Sequence, residues 1–328
     1  MTVVTHTNPI GTALQTSLYR SYPPLPTMPV HLLDQDTATI GRSSQCKIFL
    51  HDQAASRVHA EINPDQDGHI LVDYKSTNGT FVNGIRVDEC RLNHGDVISL
   101  GNSVFRVIEH DCDQDLERQI SYLQATRDPI TNTHTLAYFF EQFYRELVNA
   151  RRKSQNLTLM ACSPIHDKST QLPVQITQEF ATRFANVLRA DTCITRLSDP
   201  DRLILLVPDC NEHGARAATD RLTEITESKQ FGLFSGESQS ISLSTIACTT
   251  PLPSHMSPEA IIGSLISLSD ETAQLKPGFQ SIPMAELPQP SLQGTEMRRQ
   301  AIHEKAIHEN SMDTWLLTPL ESETKHEQ

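Results

Sequence analysis

Turn signals recur at short intervals between Met28 and Glu109, and no other feature narrows the possible folds as far. Asn63-Pro64, Asp67-Gly68, Asn78-Gly79, Asn83-Gly84 and His94-Gly95-Asp96 cut the stretch into apolar runs too short for helices. Asn-Gly and Asp-Gly pairs adopt the positive backbone angles of tight hairpins, so the rhythm predicts an all-β sandwich over residues 28–110. Residues 1–27 are rich in Thr, Ser and Pro and end in Tyr22-Pro23-Pro24-Leu25-Pro26, which reads as a flexible arm.

The texture then changes. Leu116, Ile120 and Leu123 recur at helical spacing and predict a linker helix within residues 111–127. Helices over Leu136–Arg152 and Thr177–Leu188 alternate with strand-like runs at Leu157–Cys162, Arg202–Val207 and Ser240–Cys248. Residues 128–283 therefore read as an α/β or α+β domain. Residues 284–328 read as a polar tail with a near-repeat, Ala301-Ile302-His303-Glu304 and Ala306-Ile307-His308-Glu309. The five-residue step from His303 to His308 takes the two rings off one helical face, which argues against a paired metal site.

Charge and cysteines limit the function classes. Forty acidic against 27 basic residues give a formal net charge of -13. No basic stripe is available for nucleic acid or an anionic membrane, so neither is an expected partner. The cysteines, Cys46, Cys90, Cys112, Cys162, Cys193, Cys210 and Cys248, are odd in number and form no CxxC pair. They are expected to be reduced thiols of a cytoplasmic protein, with no zinc site and no cofactor. The longest apolar runs, such as Leu203–Pro208, are strand-sized, so neither a leader nor a membrane span is expected.

Three loops of the first domain point to phosphate. They are Gly41-Arg42-Ser43, Ser56-Arg57-Val58-His59, and Ser76-Thr77-Asn78-Gly79-Thr80 followed by Asn83-Gly84. A dianionic phosphate needs convergent donors and at least one full positive charge, and the planar fork of arginine supplies both. Hydroxyls and amides add neutral donors, while glycines allow close approach of the backbone. Each residue taken singly also has an ordinary structural use in a turn.

These motifs, in this order, resemble the forkhead-associated (FHA) domain across residues 28–109. The resemblance implies that Arg42 and Ser56 contact a phosphothreonine, with Arg57 and Thr77 assisting. It implies that Asn78, and Asn83 with it, bond the peptide backbone, and that Gly41, His59 and Gly79 hold the loops. A small pocket for the threonine methyl belongs to the same implication.

Residues 128–283 resemble, more distantly, the GGDEF domain of diguanylate cyclases. Arg127-Asp128-Pro129-Ile130-Thr131 is similar to the entry to that family's first helix, Arg196–Pro208 to its signature hairpin and strand, and Ile262–Phe279 to its final helix and turn. The implied fold is a ferredoxin-like palm. Where the family places metal-binding acids, this chain has Ser163 and Ile165, and its hairpin reads Asp199-Pro200-Asp201-Arg202. Proline removes a backbone N–H, arginine places a cation at a metal site, and the single carboxylate of Asp201 is a poor magnesium ligand set. Arg189 and Asp191 lie two apart, where the family's inhibitory motif needs three. The domain is therefore expected to be a non-catalytic docking or dimerisation module.

The expected function is a bacterial signalling adaptor that reads a mark written by a Ser/Thr kinase. Open alternatives are a sensor of GTP or cyclic di-GMP, a residual diguanylate cyclase regulated by the first domain, or a structural component of a secretion or envelope assembly. Thr7 and Thr314 each have an aliphatic residue three positions on, so either arm, once phosphorylated, is a possible internal ligand.

Overall fold

The computed structural model describes residues 14–23, 30–165, 172–198, 201–228, 230–232, 238–253, 256–273 and 277–287. The first part forms strands β1 (Gln15–Tyr22), β2 (Val30–Leu33), β3 (Ala38–Gly41), β4 (Ile48–Phe49), β5 (Ala60–Asp65) and β6 (Gly68–Asp73). It continues through β7 (Thr80–Val82), β8 (Ile85–Val87), β9 (Glu89–Leu92), β10 (Val97–Leu100) and β11 (Ser103–His110). Two sheets result, ordered β2-β1-β11-β10-β7-β8 and β4-β3-β5-β6-β9. Leu18, Ile40, Ile62, Leu71, Ile98 and Phe105 fill the space between them. The turn chemistry works as the sequence implies at Asn83-Gly84, where φ values of 52° and 76° join Val82 to its partner Ile85.

Two expectations are corrected. Asn63-Pro64 lies inside β5, and the reversal comes later, at Gly68 with φ 134°. Pro64 is tolerated because the β3 pairing ends at Ile62, beyond which that side of β5 needs no donor. The stretch read as an arm contains β1, which pairs with β11 from Gln15↔His110 to Tyr22↔Val104. Its serines misled because the outer face of this sheet is covered by protein rather than water. Ser17 bonds His110 Nε2 at 2.9 Å, and Ser21 donates to the Pro129 carbonyl at 2.8 Å.

The covering layer begins with α1 (Asp113–Thr126), whose Leu116 and Ile120 pack on Tyr19 and Ile108 of the outer face. The second part then runs α2 (Leu136–Lys153), β12 (Leu157–Ile165), α3 (Val174–Val187), β13 (Cys193–Ser198), β14 (Asp201–Pro208) and α4 (Glu212–Glu227). It closes with β15 (Phe231–Gly232), β16 (Ser238–Gln239), β17 (Ser242–Thr249), α5 (Pro258–Ala273) and β18 (Gly278–Pro283). The main sheet is ordered β13-β14-β12-β17-β18, antiparallel except for the β17–β18 pair. Strand alternation splits β12 between two cores. Leu159 and Ala161 face α2 and α5, whereas Met160 and Cys162 face α3 and α4.

α3 is buried all round from Gln175 to Ala181, because it packs on its own sheet and also on the sandwich. Buried polar groups there need partners, and they have them. Ser99 Oγ donates to Gln178 Oε1 at 2.5 Å, Gln178 Nε2 to the Ile130 carbonyl at 2.8 Å, and Gln175 Nε2 to the Gly101 carbonyl at 2.8 Å. The buried Arg106 guanidinium donates to Asn132 Oδ1 and to the Asp128 carbonyl. Burial lowers its pKa to about 10, against the pull of Asp128, so it stays charged at neutral pH.

Gly84 makes the closest approach: a Cβ there would lie 2.6 Å from Glu179 Cα. Gly84→Ala adds that clash to a positive-φ penalty of about 1–2 kcal/mol. The expected outcome is faster amide exchange over the first two turns of α3, read by mass spectrometry, with little change in exchange at the loops around Ser56.

Candidate functional site

The three motif loops meet at Ser56. The Arg42 backbone N–H donates to the Ser56 carbonyl at 3.0 Å, and the Ser43 N–H to the Arg57 carbonyl at 3.0 Å. This zipper needs glycine before it, since a Cβ on Gly41 would lie 2.3 Å from the Arg57 carbonyl oxygen. Ser56 Oγ in turn accepts the Thr77 N–H at 3.0 Å and lies 3.4 Å from Thr77 Oγ1. Arg42, Ser56 and Thr77 therefore meet at one place on the surface, with Arg42 and Thr77 exposed and Ser56 half-buried. Ser56 Oγ donates to Thr77 Oγ1, so the Thr77 hydroxyl keeps a proton to donate outward, and the Arg42 side chain has no hydrogen bond or ion pair among the described residues.

His59 fixes the two rear loops and is fully buried. Its Nδ1 accepts the Ser56 N–H at 3.1 Å, and its Nε2 lies 3.1 Å from the Gly79 carbonyl. An amide can only donate and a carbonyl only accept, so the ring is neutral with its proton on Nε2. Burial holds its pKa below the usual value, outweighing the Gly79 carbonyl and Asp73. Asp73 organises the next loop, accepting from Ser76 Oγ at 2.5 Å, the Ser76 N–H at 3.0 Å and Thr80 Oγ1 at 2.7 Å. Partial burial works against its charge, but those donors win and keep the carboxyl below its ordinary pKa.

Asn78 Nδ2 donates to the Ala54 carbonyl at 2.6 Å, which leaves its Oδ1 as an acceptor at the cup. Arg57 is exposed beside it. The structure does not bring Asn83 to this place. About 13 Å of extended chain, running through β7, separates it from Gly79. Both ends of its amide are engaged, Nδ2 with Asp96 at 2.8 Å and Oδ1 with the Val97 N–H at 3.0 Å. Asn83 is a hairpin and interface residue because its left-handed φ and its Asp96 bond hold the β7–β8 turn.

Sequence reasoning missed Arg86, which brings a third guanidinium to the edge of the cup. A Cβ on Gly79 would sit 2.7 Å from Arg86 Nε. The signal was available in the register: a two-residue turn at Asn83-Gly84 pairs Arg86 with Phe81 and sets it diagonal to Gly79.

The suspected nucleotide site of the second domain looks different in kind. Ser163 Oγ is buried against Ser269 Oγ at 3.0 Å, and Ile165 ends β12. Asp199 and Pro200 lie outside the described residues, between the paired Ser198 and Asp201. The Asp201 carboxylate takes Arg196 Nη2 at 3.0 Å, and burial raises its pKa against that pull. Arg202 is 2% exposed and paired with Asp270. Among the described residues no cluster of three or more His, Cys, Asp or Glu is placed to hold a metal ion.

Comparison with known proteins agrees on the first domain. Residues 38–101 match the family model for the FHA domain and are an FHA domain. The oxoglutarate dehydrogenase inhibitor of Corynebacterium jeikeium is 42% identical over 77 residues, which cover 24% of this chain and 52% of that protein. A solved structure from a study of phosphothreonine-dependent FHA domain interactions is 35% identical, covering 30% of this chain and 99% of that one, with a TM-score of 0.28. The GGDEF domain of TpbB (YfiN) from Pseudomonas aeruginosa aligns over 53% of this chain and 99% of its own, at 18% identity and TM-score 0.41. The chain spans about half or less of the length of the curated relatives it matches first, from 7% to 52%.

Proposed function

We propose that the FHA domain binds a phosphothreonine-bearing segment of a partner protein and that the chain serves as a signalling adaptor. The observation that carries this reading is the junction at Ser56, which ties Arg42 on one side and Thr77 on the other into one cup. A phosphothreonine carries about -1.5 to -2 charges. Arg42, Arg57 and Arg86 stand ready for it, while the distant carboxylates of an acidic chain are screened beyond roughly 8 Å at physiological ionic strength. A Ser/Thr kinase writes the mark, in a bacterial cytoplasm. Thr7 and Thr314, the two candidate internal ligands, lie outside the described residues.

The second domain, on this proposal, is a GGDEF-like module without cyclase chemistry. The order β12-α3-β13-β14-α4-β17 reads as a ferredoxin-like palm, with α5 and β18 added. Arg196 pairs with Asp201 and faces Asp128, and Arg202 pairs with Asp270, so the carboxylates of this region are engaged by guanidinium groups where magnesium would need them. Its role is docking, to a partner or to a second copy of the chain.

The deciding experiment is calorimetric titration of the full chain with one peptide in three forms, carrying phosphothreonine, phosphoserine or unmodified threonine. Binding is expected for phosphothreonine, about 4-fold weaker binding for phosphoserine from loss of one buried methyl, and none for the unmodified peptide. Equal affinity for the unmodified peptide would overturn the proposal.

A further inference from the structure

At the end of β7 away from Ser56, a cleft of about 380 Å³ opens beside the contact between the Asn83-Gly84 turn and α3, and the loop that follows α1 closes its other side. Its lining runs against the composition of the chain. Arg127 and Arg189 contribute two guanidinium groups, Thr131, Thr133, Thr182 and Thr192 contribute hydroxyls, and no carboxylate lines it among the described residues. The acids nearby are turned to other work. Asp128 accepts the Thr131 N–H at 2.7 Å and faces Arg196, Asp96 holds Asn83, and Glu179 holds Arg183.

Arg189 is paired with Asp191, whereas the Arg127 guanidinium has no ion pair among the described residues and donates to the Asn132 carbonyl at 3.4 Å. The positive field reaches His134, another lining residue. Burial first, and Arg127 second, lower its pKa to about 4. Thr192 Oγ1, in the cleft wall, is buried with no hydrogen-bond partner among the described residues, so a polar group reaching it would satisfy it. The rest of the wall mixes the amides of Asn83, Asn132 and Gln178 with apolar Val97, Ile130, Ala181 and Ile194, which are able to cover the body of a ligand. A volume of this size suits a small molecule rather than a bare ion, and crevices between domains are common places for one.

We infer that this cleft is a second binding site, for a phosphate monoester of nucleotide size held by Arg127 and Arg189 and bridging the two domains. A monoester dianion would meet the unpaired charge of Arg127 and compete with Asp191 for the fork of Arg189. The bridge would favour the docked arrangement of the FHA domain on α3, because a ligand that touches both sides stabilises the form in which both are present.

The test uses the full chain carrying Arg42→Ala, so that phosphate cannot report from the cup. Titration with GMP, AMP, inorganic phosphate and succinate is the readout. At least one nucleotide is expected to bind saturably and more tightly than inorganic phosphate, with succinate weaker than both. Arg127→Gln should weaken that nucleotide ~10-fold or more. Ala185→Glu, which places an acid at the exposed rim of the cleft, should do the same without touching a buried group. No saturable nucleotide binding, binding indifferent to both variants, or succinate equalling the nucleotides would each overturn the inference. None of these outcomes bears on phosphothreonine binding, which the wild-type chain reports separately.

Discussion

Arg42→Ala is expected to lower phosphopeptide affinity by roughly 30- to 1000-fold, the cost of truncating one partner of a buried charge pair. The same substitution should leave the unfolding temperature unchanged, because Arg42 is exposed and makes no side-chain bond within the described protein. Its structural contribution comes through the backbone, where the N–H holds the Ser56 carbonyl, and alanine keeps that bond. Arg42→Lys retains the charge but not the planar fork and should fall between the two. Ser56→Ala should behave differently, since its oxygen also receives the Thr77 N–H. Affinity and loop order should drop together, the second visible as faster exchange of the Thr77 amide. Calorimetry paired with a melting curve separates the cases. An Arg42→Ala chain that binds within 3-fold of wild type, a difference worth ~0.7 kcal/mol, would place the phosphate elsewhere.

The largest effect on stability is expected at His59. The ring is wholly buried and ties the Ser56 N–H to the Gly79 carbonyl. His59→Ala leaves two buried backbone groups without partners, at about 1–3 kcal/mol each, and adds a cavity. The sum, roughly 3–5 kcal/mol, is a large part of the 5–15 kcal/mol that holds an ordinary domain together. Urea unfolding followed through the FHA domain should show a midpoint displaced to match, with an unchanged slope. A loss below ~1 kcal/mol would mean that water fills the vacated space and satisfies both groups.

Much of the first domain was legible because its chemistry sits in contiguous words. Gly41-Arg42-Ser43 shows the need for close approach and for charge at once, and the 2.3 Å contact at Gly41 is the physical form of that reading. What could not be read is whatever depends on a second layer. Ser17, Tyr19 and Ser21 carry no apolar alternation that a solvent-facing strand would display, yet they are buried because α1 and the Pro129 loop cover them. Gln175 and Gln178 are polar residues on a buried helix for the same reason. Asn83 was ambiguous in a different way. An Asn-Gly pair serves equally as ligand contact or as hairpin turn, and only the Asp96 and Val97 bonds decide for the turn. In the second domain the hydrophobic alternation gave helices and strands, but the pairing of Arg202 with Asp270 joins positions 68 residues apart. No local pattern announces such a pair.

The position of β1 bears on how the protein can be taken apart. A fragment starting at residue 28 would retain all three loops around Ser56 and still lack the strand between β2 and β11. β2 would lose its neighbour, and the row of N–H and C=O groups along β11 from Val104 to His110 would open as a naked edge. Exposed edges of that length recruit other chains. Insolubility of the shortened FHA domain would then reflect a missing strand and say nothing about its ligand, and any minimal FHA domain cut from this chain should begin before Gln15.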